Sequence, residues 1–255
     1  MTAPSSDARL AARLAEQAGQ LLLSLRATSD RTGRELGSLG DAQSNELLLR
    51  ELAAARPDDA VLSEESVDSP ARLSARRVWI IDPLDGTREY GMPGRDDWAV
   101  HVALWHRDSA VDGRLAAAAV AQPSLAAVYA TDTASGPGDA ASSRRLLVSD
   151  SRPPAFANEV AAALGLEVTP MGSAGAKAMA VLRGEAAAYL HAGGQWEWDS
   201  AAPVGVVTAA GLHASRVDGS PLEYNCEHPY LPDLLICRPE LAAPLLEVIS
   251  LASTS

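Results

Sequence analysis

The spacing of hydrophobic residues divides the N-terminal half of the chain into two helices followed by strands. Over residues 7–26, leucines and alanines recur at steps of three and four, which predicts an amphipathic helix. The Gly- and Ser-containing stretch 28–40 breaks this spacing, and a second helix is predicted from Asp41 to Arg56, ahead of Pro57. Strands are then predicted at residues 61–62, 78–81, 98–105, 115–121 and 125–130, with a turn at 122–124 before the last of them.

The C-terminal half alternates between strand and helix patterns. It follows a stretch at 132–144 that is rich in Gly, Ser, Asp and Ala, which is typical of a surface loop or a domain boundary. Strands are predicted near 146–148, 166–169, 186–190, 212–217 and 234–237, and helices near 154–164, 174–183, 199–210 and from 240 onward. This alternation favours an α/β organisation of the second half.

Composition and charge narrow the classes of function. The chain has 255 residues, 47% of them hydrophobic, so it can bury a large core as one large domain or two smaller ones. Its formal net charge of −12 argues against binding to nucleic acid polymers or anionic membranes, although acidic residues around metal ions can still attract a small anion. Cys226 and Cys237 make no disulfide framework, and we find no signal-peptide or membrane-spanning pattern. A cytoplasmic, soluble protein is therefore expected.

The stretch Val78–Thr87, VWIIDPLDGT, concentrates candidate chemistry. An apolar strand delivers Asp82 and Asp85 to a turn, and at a separation of three residues their carboxylates can point to the same side. The Leu84 carbonyl between them is a further oxygen, and hard divalent cations prefer such ligands. The Gly-Thr pair at the end of the stretch, if it opens a helix, also offers backbone N–H groups to a phosphate. An ordinary capped turn explains the same residues, so both interpretations stay open.

Further acidic residues lie at the ends of predicted elements. Glu64 follows an apolar run, Asp199 precedes a helix, and Asp41 stands at the start of another. Each of these alone is typical of a solvated loop or a helix N-cap. Together with Asp82 and Asp85 they occupy the strand ends and helix starts that open α/β sheets bring to one crevice. Divalent cations held there would make a phosphoryl-transfer site.

Three basic residues outside this acidic set are also considered for a role in the site. Lys177 is the only lysine of the sequence and lies at a predicted helix start, where a solvated side chain and a substrate contact are both open. The residues His101 and His106 fall on or beside a strand pattern and are interpreted as packing or surface residues.

Four motifs resemble, in order and spacing, those of the inositol monophosphatase-like superfamily: Asp41, Glu64-Glu65, Asp82–Thr87 and Trp198-Asp199. The stretches Gly172–Lys177 and His191–Trp198 make the chain most similar to the actinobacterial CysQ branch of that superfamily. The resemblance implies a layered α-β-α-β-α sandwich, as in fructose-1,6-bisphosphatases. It further implies an α+β part at 1–143 with most metal ligands and an α/β part at 144–255 with the last ligand and the substrate contacts.

The resemblance also implies which residues form the site. Two or three Mg²⁺ ions would be held by five residues: Glu64, Asp82, the Leu84 carbonyl, Asp85 and Asp199. Three residues would be catalytic, two of them by orienting the attacking water: Asp41, Thr87 and Glu64. Six would contact the substrate: Asp85, Gly86, Thr87, Ser173, Lys177 and Asp199.

The function implied by the resemblance is Mg²⁺-dependent hydrolysis of 3′-phosphoadenosine 5′-phosphate to AMP and phosphate, with inhibition by Li⁺. Relatives are often homodimers. Two alternatives stay open. One is a phosphatase for inositol 1-phosphate or fructose 1,6-bisphosphate with the same metal chemistry, and the other is a non-catalytic protein that binds a nucleotide or a metal.

Overall fold

The structure is a computed structural model that describes residues 6–109, 113–136 and 143–252. Among these residues the chain forms the following helices: α1 (Asp7–Thr28), α2 (Gly33–Ala55), α3 (Thr87–Tyr90), α4 (Ala157–Leu164), α5 (Ala174–Leu182), α6 (Glu197–Ala209) and α7 (Pro239–Ala252). The strands are β1 (Ala60–Ser63), β2 (Arg77–Asp85), β3 (Ala99–Arg107), β4 (Gly113–Gln122), β5 (Ala127–Ala130), β6 (Arg145–Ser149), β7 (Glu167–Met171), β8 (Ala188–Trp196), β9 (His213–Ser215) and β10 (Tyr230–Cys237).

The ten strands form two sheets of five. The first has the order β1-β2-β3-β4-β5, with β1 parallel to β2 and the other neighbours antiparallel. The second has the order β7-β6-β8-β10-β9, in which β6 runs parallel to β7 and β8 while β10 runs antiparallel to β8 and β9. The second half is therefore a mixed α/β sheet, as its alternating pattern predicts.

Three apolar cores join these sheets into layers. Helices α1 and α2 cover one face of the first sheet, with Leu14 and Leu48 packed near Trp79. Helices α5 and α6 fill the space between the two sheets, and α4 and α7 cover the outer face of the second. The order of layers is α-β-α-β-α, which confirms the predicted fold. No helix among the described residues is both long enough and apolar enough to cross a membrane.

Helix α2 starts eight residues before the predicted position. The prediction placed its start at Asp41 because the stretch 28–40 contains glycines, whereas the helix begins at Gly33. A Cβ at Gly37 would lie 2.8 Å from Thr87 Cγ2, and one at Gly40 would lie 2.9 Å from Tyr90 Cε1. Each glycine weakens a helix by about 1 kcal/mol relative to alanine. Here the glycines let α3 pack against α2, so tertiary packing overrides local propensity.

The predicted loop at 132–144 falls partly outside the described residues. Strand β5 ends at Ala130 and β6 begins at Arg145, so the two sheets are contributed by consecutive parts of the chain. Residues 137–142 lie outside the described ranges. The division into parts 1–143 and 144–255 stays a prediction.

Candidate active site

The C-terminal end of β2 places two aspartates in the interior. The register of its pairing with β3 shifts between Asp82 and Asp85, so the strand is irregular at this point. The Leu84 N–H donates to Asp82 Oδ1 at 3.0 Å, which fixes the first carboxylate. Gly86 then adopts φ of +86° and turns the chain into α3. This left-handed conformation favours glycine, and a Cβ there would also lie 3.0 Å from the Asp97 carbonyl oxygen.

A third aspartate reaches the same point from the second half of the chain. Asp82, Asp85 and Asp199 each offer a carboxylate oxygen, and these three atoms lie within 4.8 Å of one another. Asp199 lies in the first turn of α6, where it accepts the Trp196 N–H at 2.6 Å. It therefore serves as a helix cap and also takes part in the carboxylate cluster, so the two interpretations of this residue are compatible.

Asp85 is held by the N-terminus of α5. Its Oδ2 accepts from Ser173 Oγ at 2.5 Å and from the Gly175 N–H at 2.7 Å, and its Oδ1 accepts from the Ala174 N–H at 3.1 Å. Burial acts to raise the pKa of Asp85, but nearby His101 and the other positive and donor groups around it lower that pKa to about 2. Asp85 stays ionised and joins the end of β2 to the second half of the chain.

Asp41 lies on α2 and is paired with Thr87. The Thr87 hydroxyl lies 2.8 Å from Asp41 Oδ2 and 3.0 Å from the Leu84 carbonyl oxygen, either of which can accept its proton. The other oxygen of Asp41, Oδ1, is buried without a hydrogen-bond partner among the described residues. Burial raises the pKa of Asp41 to about 7, and the charges of Glu65 and Asp85 act in the same direction.

Glu64 follows the end of β1, beside the turn that carries Asp82. Its backbone N–H donates to the Ile81 carbonyl at 3.4 Å, but its side chain is exposed to solvent and lies outside the compact aspartate trio. The protein packed around its inner side and the charges of Asp199, Asp41 and Glu65 raise the pKa of Glu64 to about 8.

The cluster of carboxylates fits divalent cations. Burial and the neighbouring carboxylates hold the pKa of Asp82 well above its ordinary value, and burial with the charge of Asp85 raises the pKa of Asp199 to about 6. At Asp199 the nearby His101 and Lys177 offset burial only in part, whereas at Asp85 the same groups and the hydrogen-bond donors outweigh it. The close aspartate trio provides the hard oxygen donors that such cations prefer.

We expect the metal-free protein to lose stability as the pH rises from 6.5 to 7.5. The raised pKa values of Asp41, Glu64 and Asp82 mean that the folded chain holds more protons than the unfolded chain in this range, so the free energy of unfolding falls with pH. The lowered pKa of His191 acts in the opposite direction below this range, and that of Lys177, about 8, acts so above it.

Thermal unfolding in EDTA checks this expectation. The Tm should be lower at pH 7.5 than at pH 6.5, by about 2–4 °C for each kcal/mol lost. Saturation with a divalent cation should raise the Tm and remove the difference. A metal-free Tm that is constant or rises over this range would contradict the expectation.

A cleft with a volume of about 300 Å³ opens beside the aspartates. Its walls come from the turn after β2, the loop after β6, the loop before α5, and strand β8. All six substrate contacts implied by the resemblance line this cleft, and they come from both halves of the chain: Asp85, Gly86, Thr87, Ser173, Lys177 and Asp199. The cleft therefore has one wall from each sheet.

Lys177 also lines the cleft, but its ammonium group is already engaged. The buried Nζ donates to the Ser173 carbonyl at 2.7 Å and to the Gly172 carbonyl at 3.2 Å, and it lies 4.9 Å from the centre of the Tyr189 ring. Burial lowers the pKa of Lys177 to about 8, opposed by Asp85. Lys177 supports the loop that holds Asp85, and its contact with substrate stays a prediction.

Sequence reasoning did not assign His101 to the site. Its ring is fully buried, with Nε2 3.2 Å from Asp85 Oδ2 and Nδ1 3.1 Å from the Trp198 carbonyl oxygen. A side chain at Gly175 would overlap Nε2, so the ring fits only against a glycine. The register of β3 places His101 opposite Asp82, and that pairing is the feature that would have identified it.

Comparisons with known proteins show which family this chain is similar to. The model of the inositol monophosphatase family matches residues 5–248. A relative from Mycobacterium tuberculosis, named 3′-phosphoadenosine 5′-phosphate phosphatase, is 57% identical over 91% of this chain and 89% of its own length. A relative of the same name from Mycobacterium leprae is 54% identical over 96% of this chain and 93% of its own length.

The fold also has solved counterparts. The crystal structure of staphylococcal IMPase-II superposes with a TM-score of 0.75, covers 98% of each chain and is 19% identical in sequence. At that identity the likeness shows the fold alone. With the family match, these findings confirm the resemblance inferred from the four motifs.

Proposed function

The chain belongs to the inositol monophosphatase family of metal-dependent phosphatases, and we propose that it hydrolyses 3′-phosphoadenosine 5′-phosphate to AMP and phosphate with Mg²⁺. The identity of 57% over nine-tenths of the chain to a relative of that name is the observation that carries the proposal. The aspartate trio beside a cleft of about 300 Å³ supports it, because a small phosphate ester can bind there next to metal ions.

We assign the metal ions to the carboxylates around the turn after β2. Glu64, Asp82 and the Leu84 carbonyl would hold one ion, and Asp82 would share a second with Asp85 and Asp199. When bound, the ions would supply charge that stabilises the phosphoryl oxygens and the leaving alkoxide and lowers the pKa of the attacking water.

The remaining assignments concern orientation. Asp41 and Thr87 hold each other at 2.8 Å, and we assign them the orientation of the attacking water. The backbone N–H groups of Gly86 and Thr87 would donate to the phosphate, while Ser173 and Lys177 would contact the rest of the substrate.

We also propose two or three Mg²⁺ ions per site, inhibition by Li⁺, a cytoplasmic location and a homodimer.

Phosphate release from a panel of substrates tests the proposed function. The panel compares 3′-phosphoadenosine 5′-phosphate with inositol 1-phosphate and fructose 1,6-bisphosphate at saturating Mg²⁺. We expect kcat/KM for the nucleotide to exceed the others by about a hundredfold, equivalent to about 2.7 kcal/mol of transition-state discrimination. Equal values would indicate a broad phosphatase, and no release from any substrate would favour a binding protein.

Metal removal belongs to the same experiment. Dialysis against EDTA should lower phosphate release at least about a hundredfold, because the carboxylates then repel the substrate and nothing offsets the phosphoryl charge. Added Mg²⁺ should restore the rate, and Li⁺ should lower it. Release that persists unchanged in EDTA would contradict a metal-dependent reaction.

A further inference from the structure

The cleft beside the aspartates contains three cationic side chains: Arg88, Arg152 and Lys177. Two of them already form hydrogen bonds or ion pairs within this chain. Arg88 donates to Glu89 Oε1 and, at 2.7 Å, to Asp150 Oδ2. The Lys177 ammonium donates to backbone carbonyls and lies against Tyr189. Neither is free to take up a further negative charge without giving up these contacts.

Arg152 is different. Within the described ranges its guanidinium has no hydrogen-bond or acidic partner, and only its backbone N–H is engaged, with Ser149 Oγ at 3.2 Å. The side chain is exposed on the cleft wall formed by the loop after β6. Its positive charge reaches across that wall, because it favours the ionised form of Tyr189 and the neutral form of His191, though burial dominates the pKa of both.

The loop that carries Arg152 is held in place from the first half of the chain. Asp150 accepts from Arg88 at 2.7 Å and from Arg95 Nη2 at 3.3 Å, so the loop after β6 is joined to the segment that follows Asp85. The hydroxyls of Ser149 and Ser151 lie 3.4 Å apart on the same loop and offer further donors. The ion pairs of Asp150 therefore hold the backbone that carries Arg152, while its side chain stays exposed on the cleft wall.

A substrate with two phosphates needs a positive group in addition to the metal ions. The carboxylate cluster with its metal ions takes the phosphate that is cleaved, but the second phosphate carries about two further negative charges into a cleft lined by Glu89 and Asp150. An unpaired guanidinium binds phosphate through two parallel hydrogen bonds and stays charged at every relevant pH. We propose that Arg152 binds the non-scissile 5′-phosphate of the substrate and thereby selects bisphosphates. This inference rests on the proposed function.

The test compares two nucleotides that differ only in the 5′-phosphate. Arg152→Gln and the wild-type enzyme are assayed at saturating Mg²⁺ with 3′-phosphoadenosine 5′-phosphate and with 3′-AMP. We expect the variant to lose about 30-fold in kcat/KM for the bisphosphate, mainly through KM, and less than about threefold for 3′-AMP. Arg152→Lys should recover part of the loss, because it restores the charge without the planar fork.

Arg144→Gln is the matched control. Arg144 is an exposed arginine that immediately precedes β6, the strand that Arg152 follows, and it does not line the cleft. It should leave both substrates unchanged. If Arg152→Gln lowers kcat/KM equally for both nucleotides, or for neither, while wild type prefers the bisphosphate, the assignment is wrong and the proposed function stands. A wild-type enzyme that releases no phosphate from the bisphosphate refutes the proposed function and, with it, this assignment.

Discussion

Asp82→Asn is expected to abolish phosphate release, with a loss in kcat/KM of at least about 10⁴-fold, equivalent to roughly 5 kcal/mol. Asp82 is fully buried, belongs to the trio of close carboxylates and is a proposed ligand of both metal ions. Asparagine keeps the side chain's volume and can still accept the Leu84 N–H through Oδ1, so the turn should fold as before. What it removes is the negative charge that the cations require.

Thermal unfolding separates this loss from misfolding. In EDTA the variant should unfold at the same Tm as wild type or higher, because one carboxylate fewer repels its neighbours. The rise in Tm on adding Mg²⁺, about 2.7 kcal/mol of stabilisation at 100 times Kd in wild type, should disappear. Asp132→Asn, at an exposed aspartate far from this turn in the sequence, is the matched control. Full activity of Asp82→Asn would overturn the metal site.

Asp41→Asn is expected to lower kcat by about 10³-fold while KM changes by less than about threefold. Asp41 lies outside the trio, and its buried Oδ1 is the unpartnered acceptor that can orient a water molecule. The amide can still hydrogen-bond to Thr87, so the packing of α2 against α3 should be retained. The metal-dependent rise in Tm should therefore persist, in contrast to Asp82→Asn.

A double variant sharpens this expectation. If Asp41 and Thr87 act as one unit, Thr87→Val should cause a similar loss, and the pair of substitutions should cost little more than either alone. Loss of the metal-dependent rise in Asp41→Asn would instead make Asp41 a metal ligand. Additive losses in the double variant would show that the two residues act independently.

The sequence singled out the carboxylates because several of them occur together at strand ends and helix starts, a pattern that can be seen without the fold. Asp82 and Asp85 lie at one end of β2, and the layered fold brings Asp199 to them. What the sequence did not predict depends on contacts between distant elements. His101 looks like a packing residue until the strand register places it opposite Asp82.

The start of α2 was missed for a related reason. Helix propensity argues against Gly37 and Gly40, and only the position of α3 shows that these sites exclude any side chain. The sequence likewise does not show that the Arg152 guanidinium lacks a partner, because the chain has many arginines and the fold determines which acidic groups they contact. Only the distances in the folded protein distinguish an arginine that is paired from one that is not.

The hydrogen bonds between the α5 N-terminus and Asp85 join residues that are far apart in the sequence and are therefore synthesised at different times. Asp82 and Asp85 leave the ribosome well before Ser173, Gly175 and Asp199, so the N-terminal part of a nascent chain carries its acidic turn without the groups that complete it. Contacts between such distant residues form late in folding. The proposed cation would therefore bind only after the second half of the chain has folded, and its binding would stabilise the native state.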